Sequence, residues 1–132
     1  MQREEGPNAG FSSAPASSLY LPVDPDPGPP AVASQRALDG SLLHQVRRLV
    51  ALRKSVPALR AGGPVHVLNE GYPLVYARGG THLVVINPRR ERATFAVVAA
   101  GTRRLASVLS QGVTVDDGVA NASGFGYGIF EL

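Results

Sequence analysis

Seven of the eleven prolines fall in the first 40 residues, at Pro7, Pro15, Pro22, Pro25, Pro27, Pro29 and Pro30. Each removes a backbone donor and restricts the residue before it, so this stretch forms neither a long helix nor a central strand. An extended arm over 1–40 is expected. Leu19-Tyr20-Leu21 and Val23 are more apolar than a free linker requires, which predicts that the arm lies against a surface.

The period then changes. Leu42, Val46, Leu49 and Val50 recur at the spacing of one helical face, predicting an amphipathic helix from Ser41 to Val56 within a segment 41–60. Asp39 or Ser41 can cap its start, Arg53 and Lys54 suit its last turn, and Pro57 stops it. With Leu43 and Leu52 the stripe holds six Leu and Val side chains, and their burial would contribute on the order of 10 kcal/mol. Such a helix needs a partner surface.

After Gly62-Gly63 short Val-, Ile- and Leu-rich runs alternate with turn residues. The expected strands are Val65–Asn69, Leu74–Arg78, His82–Asn87, Ala93–Ala99, Arg103–Leu109, Gly112–Val115 and Tyr127–Leu132. The fold class is therefore mainly β: an antiparallel sandwich of Greek-key type over 61–132, preceded by the arm and the helix. With aromatic content of 6% and no Trp, the core would consist mostly of Val, Leu and Ala.

Composition excludes several classes. The absence of cysteine rules out disulfides and thiolate metal sites. A net charge of +3 raises nucleic acid as a partner, but the arginines sit in scattered pairs (Arg47-Arg48, Arg89-Arg90, Arg103-Arg104) without interleaved aromatics, which favours a solvated face. No apolar leader or membrane-length run is present, so a cytoplasmic protein with no membrane partner is expected.

Catalytic groups are hard to find. Asp24 and Asp26 lie in the arm, Asp39 at the helix cap, Asp116-Asp117 before Gly118 in a turn, and Glu4-Glu5 near the terminus. His44, His66 and His82 share no metal-ligand spacing, although His66 and His82 could face each other across strands. No GxSxG motif or phosphate loop occurs. No catalytic residue, metal or cofactor is assigned.

Read in order, several segments resemble family 13 glycoside hydrolases, the α-amylase and α-glucosidase family. Met1-Gln2 and Asn8-Ala9-Gly10-Phe11-Ser12 are similar to a PMQW motif and the NAGF-type motif that follows it, in the loop after the last barrel strand. Arg3 stands where the family has Trp. Ser41-Leu42-Leu43, then Leu49-Val50-Ala51-Leu52-Arg53-Lys54 with Pro57-Ala58-Leu59, resemble the last barrel helix. Gly126-Tyr127-Gly128-Ile129-Phe130-Glu131-Leu132 resembles the final strand of the C-terminal β-domain.

The resemblance implies a non-catalytic C-terminal portion that supports a catalytic barrel, its natural partner. A family enzyme needs a nucleophile and an acid about 5–5.5 Å apart, and the family places these carboxylates upstream of PMQW, so this chain alone is expected to be inactive. A start at the motif's own methionine suggests an upstream truncation or a late start codon. The resemblance puts Gln2, Asn8 and Phe11 at the rim of the substrate pocket; the alternative for the same motif is a turn with a buried Phe11. A stand-alone carbohydrate-binding module for an α-glucan or oligosaccharide is the competing function. Without a barrel, Leu42, Val46, Leu49 and Val50 would drive self-association.

Overall fold

A computed structural model describes residues 2–25, 28, 30–97 and 104–132. Two compact units follow one another, Met1–Ala51 and Leu52–Leu132.

In the first unit the proline-rich segment carries more regular structure than an extended arm. Single 3₁₀ turns occur at Pro7–Gly10 and Ala16–Ser18, and a short helix, α1, spans Val32–Ala37. The main-chain carbonyls of Gln2 and Arg3 accept the N–H groups of Val32 and Ala33, each at 2.9 Å. Those are first-turn donors that have no partner inside a helix, so the N-terminal residues satisfy what α1 cannot. Pro22, Pro25 and Pro30 fall outside the helix, as their ring geometry requires.

The predicted main helix is α2, Leu42–Ser55. Ser41, rather than Asp39, supplies the cap: its hydroxyl oxygen accepts the N–H of His44 at 3.4 Å and donates to the Gln35 carbonyl at 2.7 Å. The buried Gln35 adds a second cap, its Oε1 accepting the Leu43 N–H at 2.9 Å. At the other end the Arg60 guanidinium donates to the Lys54 carbonyl at 2.6 and 3.1 Å. The stripe is only partly covered, with Leu43, Leu49 and Leu52 half-buried. No residue of α2 is buried, and Leu42, Val46 and Val50 are 61%, 48% and 47% exposed.

The second unit holds one six-stranded antiparallel sheet, curled so that a sandwich-like core forms on its inner face. Its strands are β1 Val65–Asn69, β2 Leu74–Arg78, β3 His82–Ile86, β4 Ala93–Ala96, β5 Ser107–Asp116 and β6 Val119–Glu131. The first three match the sequence expectation within a residue. The expected fourth strand is shorter, and residues 98 and 99 lie outside the described part. The runs expected at Arg103–Leu109 and Gly112–Val115 form a single bulged strand, with residue 103 also outside the described part, and the last strand starts eight residues earlier than expected at Tyr127.

β6 organises the sheet. Its Tyr127–Glu131 half pairs with β3 and its Val119–Ala122 half with β4, while β5 flanks both halves. Asp117 (φ 47°) and Gly118 (φ 69°) join β5 to β6, with Asp116 opposite Val119. Two central residues in the left-handed region are what a type I′ hairpin needs to match strand twist. Midway, Gln111 faces Tyr127 but Val113 faces Ala122, so residues 123–126 leave the ladder where β3 gives way to β4.

Asn87, fully buried, fills that gap. Its Nδ2 donates to the carbonyls of Glu91 (2.8 Å) and Ser123 (2.9 Å), and its Oδ1 accepts the Arg89 N–H at 3.3 Å. The core comprises Val75, Leu83, Val85, Val97, Leu105, Val113, Val115, Ala120, Ala122 and Phe130, the Val, Leu and Ala composition expected plus one ring. On the other face Val84 lies opposite Ile129 and both are buried, so β3 is covered on both sides, as its unbroken Leu83-Val84-Val85-Ile86 run requires.

Candidate substrate-rim site

The segment Asn8-Ala9-Gly10 is built from three successive left-handed residues, with φ of 54°, 51° and 71°. Only the glycine takes that region without cost; for the alanine it costs roughly 1–2 kcal/mol. Asn8 offsets part of this with its carboxamide, whose Nδ2 donates to the carbonyls of Ser12 (2.9 Å) and Ala14 (2.6 Å). The Phe11 N–H returns to the Asn8 carbonyl at 3.0 Å, and Arg3 donates to Ala9 at 3.0 Å. The motif is a tight reverse loop tied to the strand-like Gln2-Arg3 segment.

That loop throws Phe11 outward. The reading with a buried Phe11 is corrected: the ring is 55% exposed, and it is Ala9 that the turn buries. Phe11 and Gln2 both line a cavity of about 670 Å³ with Leu19, Tyr20, Leu21 and Pro22. Val23, Asp24 and Pro30 complete the wall. Asn8 does not reach it; its side chain holds the loop shape instead. Of the three predicted rim residues, two therefore meet at one cavity and the third positions one of them.

Tyr20 and Leu21, largely exposed, belong to the run that is too apolar for a linker, and they form part of the wall. The signal was present in the Leu19-Tyr20-Leu21 run itself. The cavity is apolar with few polar groups, a carboxamide from Gln2 and a carboxylate from Asp24 among them, a combination suited to a ring with hydroxyl groups at its edge. It carries one carboxylate, not the pair that glycoside hydrolysis uses.

The remaining titratable candidates do not converge. His66 on β1 and His82 on β3 are separated by β2, so they do not face each other on neighbouring strands. His82 is buried with Nδ1 2.9 Å from the Thr81 hydroxyl, and His44 Nε2 meets the Arg36 carbonyl at 3.1 Å. Asp117 sits in the hairpin turn, and Asp26 lies outside the described residues. Among the described residues no three His, Cys, Asp or Glu side chains gather as a metal site, and no helix is long and apolar enough to cross a membrane.

One cluster in the second unit was not anticipated. The Arg89 guanidinium lies over the Tyr72 ring, 4.5 Å from its centroid, and the Arg89 carbonyl accepts the Phe125 N–H at 2.8 Å. Phe125 has φ 56° and is 63% exposed; Tyr72 is 49% exposed. These residues are far apart in sequence, and no motif links them.

No family model matches the chain. In sequence it is 40% identical over 75 residues to a probable alpha-glucosidase of Rhizobium meliloti (strain 1021), a stretch covering 57% of this chain and 13% of that protein. In structure it matches an isomaltulose synthase mutant from Erwinia rhapontici NX5 in complex with D-glucose, with TM-score 0.82 and 23% identity over 99% of this chain and 24% of that one. The isomaltulose synthase of Klebsiella sp. LX3 matches with TM-score 0.81 and 20% identity, over 98% of this chain and 24% of that one. A family GH13_31 enzyme matches with TM-score 0.76 and 16% identity, over 100% of this chain and 23% of that one. The chain matches the C-terminal part of a family 13 glycoside hydrolase, in sequence over part of its length and in fold over nearly all of it. It spans about a quarter of the solved chains and less of the curated relative.

Proposed function

We propose that this chain is the non-catalytic C-terminal portion of an enzyme acting on α-glucosidic bonds, and that it braces the catalytic barrel. The observation that carries this reading is α2. A fourteen-residue helix with an apolar stripe and no buried residue is a packing element without its counterpart. Its caps at Gln35, Ser41 and Arg60 hold it in shape, so the face is presented ready-made. The loop bearing Gln2 and Phe11 would then form one wall of the substrate pocket, with the reacting carboxylates supplied by the barrel. The likeness to alpha-glucosidase supports the bond type.

Two measurements test this. Rigorously purified chain is expected to release no glucose from maltose, isomaltose or trehalose, and measurable release sinks the reading. A separately expressed family 13 barrel is expected to bind the chain, and Val46→Glu combined with Val50→Glu to abolish that binding while leaving the circular dichroism unchanged. Binding that survives the double change removes α2 as the brace. Without a barrel, light scattering should show association of the chain with itself that Leu49→Glu reduces.

A further inference from the structure

Phe125 combines two properties that ordinarily exclude each other. Its backbone is left-handed (φ 56°), a conformation a bulky side chain adopts only at a cost, and its ring is 63% exposed, so little burial offsets that cost. A glycine would sit there at ease, and the neighbours on both sides are Gly124 and Gly126. The ring at this strained position is exposed to whatever meets the surface from outside the chain.

The mount is stiff. A Cβ at Gly124 would collide with the Arg90 carbonyl, so the backbone of the bulge is pressed against the Arg89-Arg90 segment. The Phe125 N–H is fixed on the Arg89 carbonyl, and Asn87 ties Arg89 and Ser123 together from beneath. Arg89 in turn is stacked on Tyr72. Two exposed aromatic side chains and one oriented guanidinium are thus anchored to a single buried amide. Sequence showed arginine pairs without aromatics; folding brings the aromatics to them.

We infer that Tyr72, Arg89 and Phe125 form a binding surface for a neutral α-linked glucosyl chain. A pyranose offers a face of C–H groups that packs on an aromatic ring, and a rim of hydroxyl oxygens that accept from a planar N–H fork. The stacking on Tyr72 pre-orients that fork and lowers the entropy lost on binding. The choice of α-linked glucose rests on the proposed function above; the surface itself rests on the geometry.

The test is a titration of the full-length, nitrogen-15-labelled chain with maltotetraose. The amides of Tyr72, Arg89, Phe125 and Gly126 should shift together. Phe125→Gly, which removes the ring and relaxes the backbone, should melt no lower than the unmodified chain and lose about tenfold or more in affinity. Tyr72→Ala should weaken binding in the same direction. Unchanged affinity in Phe125→Gly, or shifts confined to Gln2, Phe11 and Tyr20, overturns the inference. So does a salt-sensitive response of these amides to a single-stranded DNA oligonucleotide without one to maltotetraose, which would make the surface a polyanion site. A response to cellotetraose alone would overturn the α-linkage; the barrel-binding assay decides the proposed function independently.

Discussion

The two units solve the problem of holding a chain together in opposite ways. Among described residues, the first buries only Ala9 and Ala31 of its hydrophobic side chains, and every other buried hydrophobic residue lies at Val75 or beyond. The first is stitched instead by side chains reaching main-chain groups: Asn8 to Ser12 and Ala14, Gln35 to Leu43, Ser41 to Gln35, Gln45 to Gly40. A net hydrogen bond contributes about 0.5–1.5 kcal/mol, whereas a buried Val, Leu or Phe contributes about 1.5–3 kcal/mol. A polar-stitched unit keeps its apolar side chains free, and Phe11, Tyr20, Leu21, Leu42, Val46 and Val50 are all exposed in it. The sheet unit places most of its apolar residues in its own core and leaves Val65, Val67, Tyr72 and Phe125 exposed. The contrast is one of degree, with the sheet unit holding nearly all of the buried apolar side chains.

That contrast can be broken by substitution. The largest effect is expected from Phe130→Ala, since the ring is 2% exposed at the centre of the core; a loss of about 3–5 kcal/mol should appear in urea unfolding followed by circular dichroism. Asn87→Ala should cost about 1–3 kcal/mol in the same measurement, because the Glu91 and Ser123 carbonyls lose their donor in a buried place. In the first unit, Gln35→Ala should cost only about 1 kcal/mol and show as faster amide exchange at Leu43, with the sheet unaffected. If Gln35→Ala destabilises the whole chain as much as Phe130→Ala, the two units are not energetically separate and the comparison fails. Asp117→Asn should raise stability by about a few tenths of a kcal/mol, Asn-Gly being the preferred pair for a type I′ turn.

The elements most legible in sequence were those whose own residues decide them. α2 followed from its apolar spacing and Pro57, and β1 to β3 from short apolar runs between glycines. The Val119–Gly126 half of β6 lay outside the expected strand, and Gly124 and Gly126 fall in the 123–126 segment that leaves the ladder, whereas Gly128 pairs with Val85 and Ser110. A Cβ at Gly128 would lie 2.5 Å from the Phe130 ring, and one at Gly126 would lie 2.9 Å from the Gly112 carbonyl. At Gly126 the obstacle belongs to the partner strand β5, and at Gly128 it is a ring of β6 itself with Val113 of β5 beside it. Gly112 likewise split β5 in two, although its φ of 66° marks a bulge within a continuous strand. α1 was missed because six residues with no side-chain cap carry too little local signal; its donors are answered by Gln2 and Arg3, far back in the chain. At the candidate rim the split between Phe11, which lines the cavity, and Asn8, which shapes the loop, depends on where the three left-handed residues aim them.

The placement of β6 between β5 and two successive partners also sets an order of events. β5 and β6 are joined by two residues, so their pairing closes a short loop, whereas β3 and β4 must be recruited from far along the chain. A hairpin spanning both halves of the sheet is the natural template on which the other strands condense. Its turn should then govern the rate at which the chain folds rather than the rate at which it comes apart. In stopped-flow refolding, Asp117→Asn is expected to quicken the folding limb and leave the unfolding limb in place.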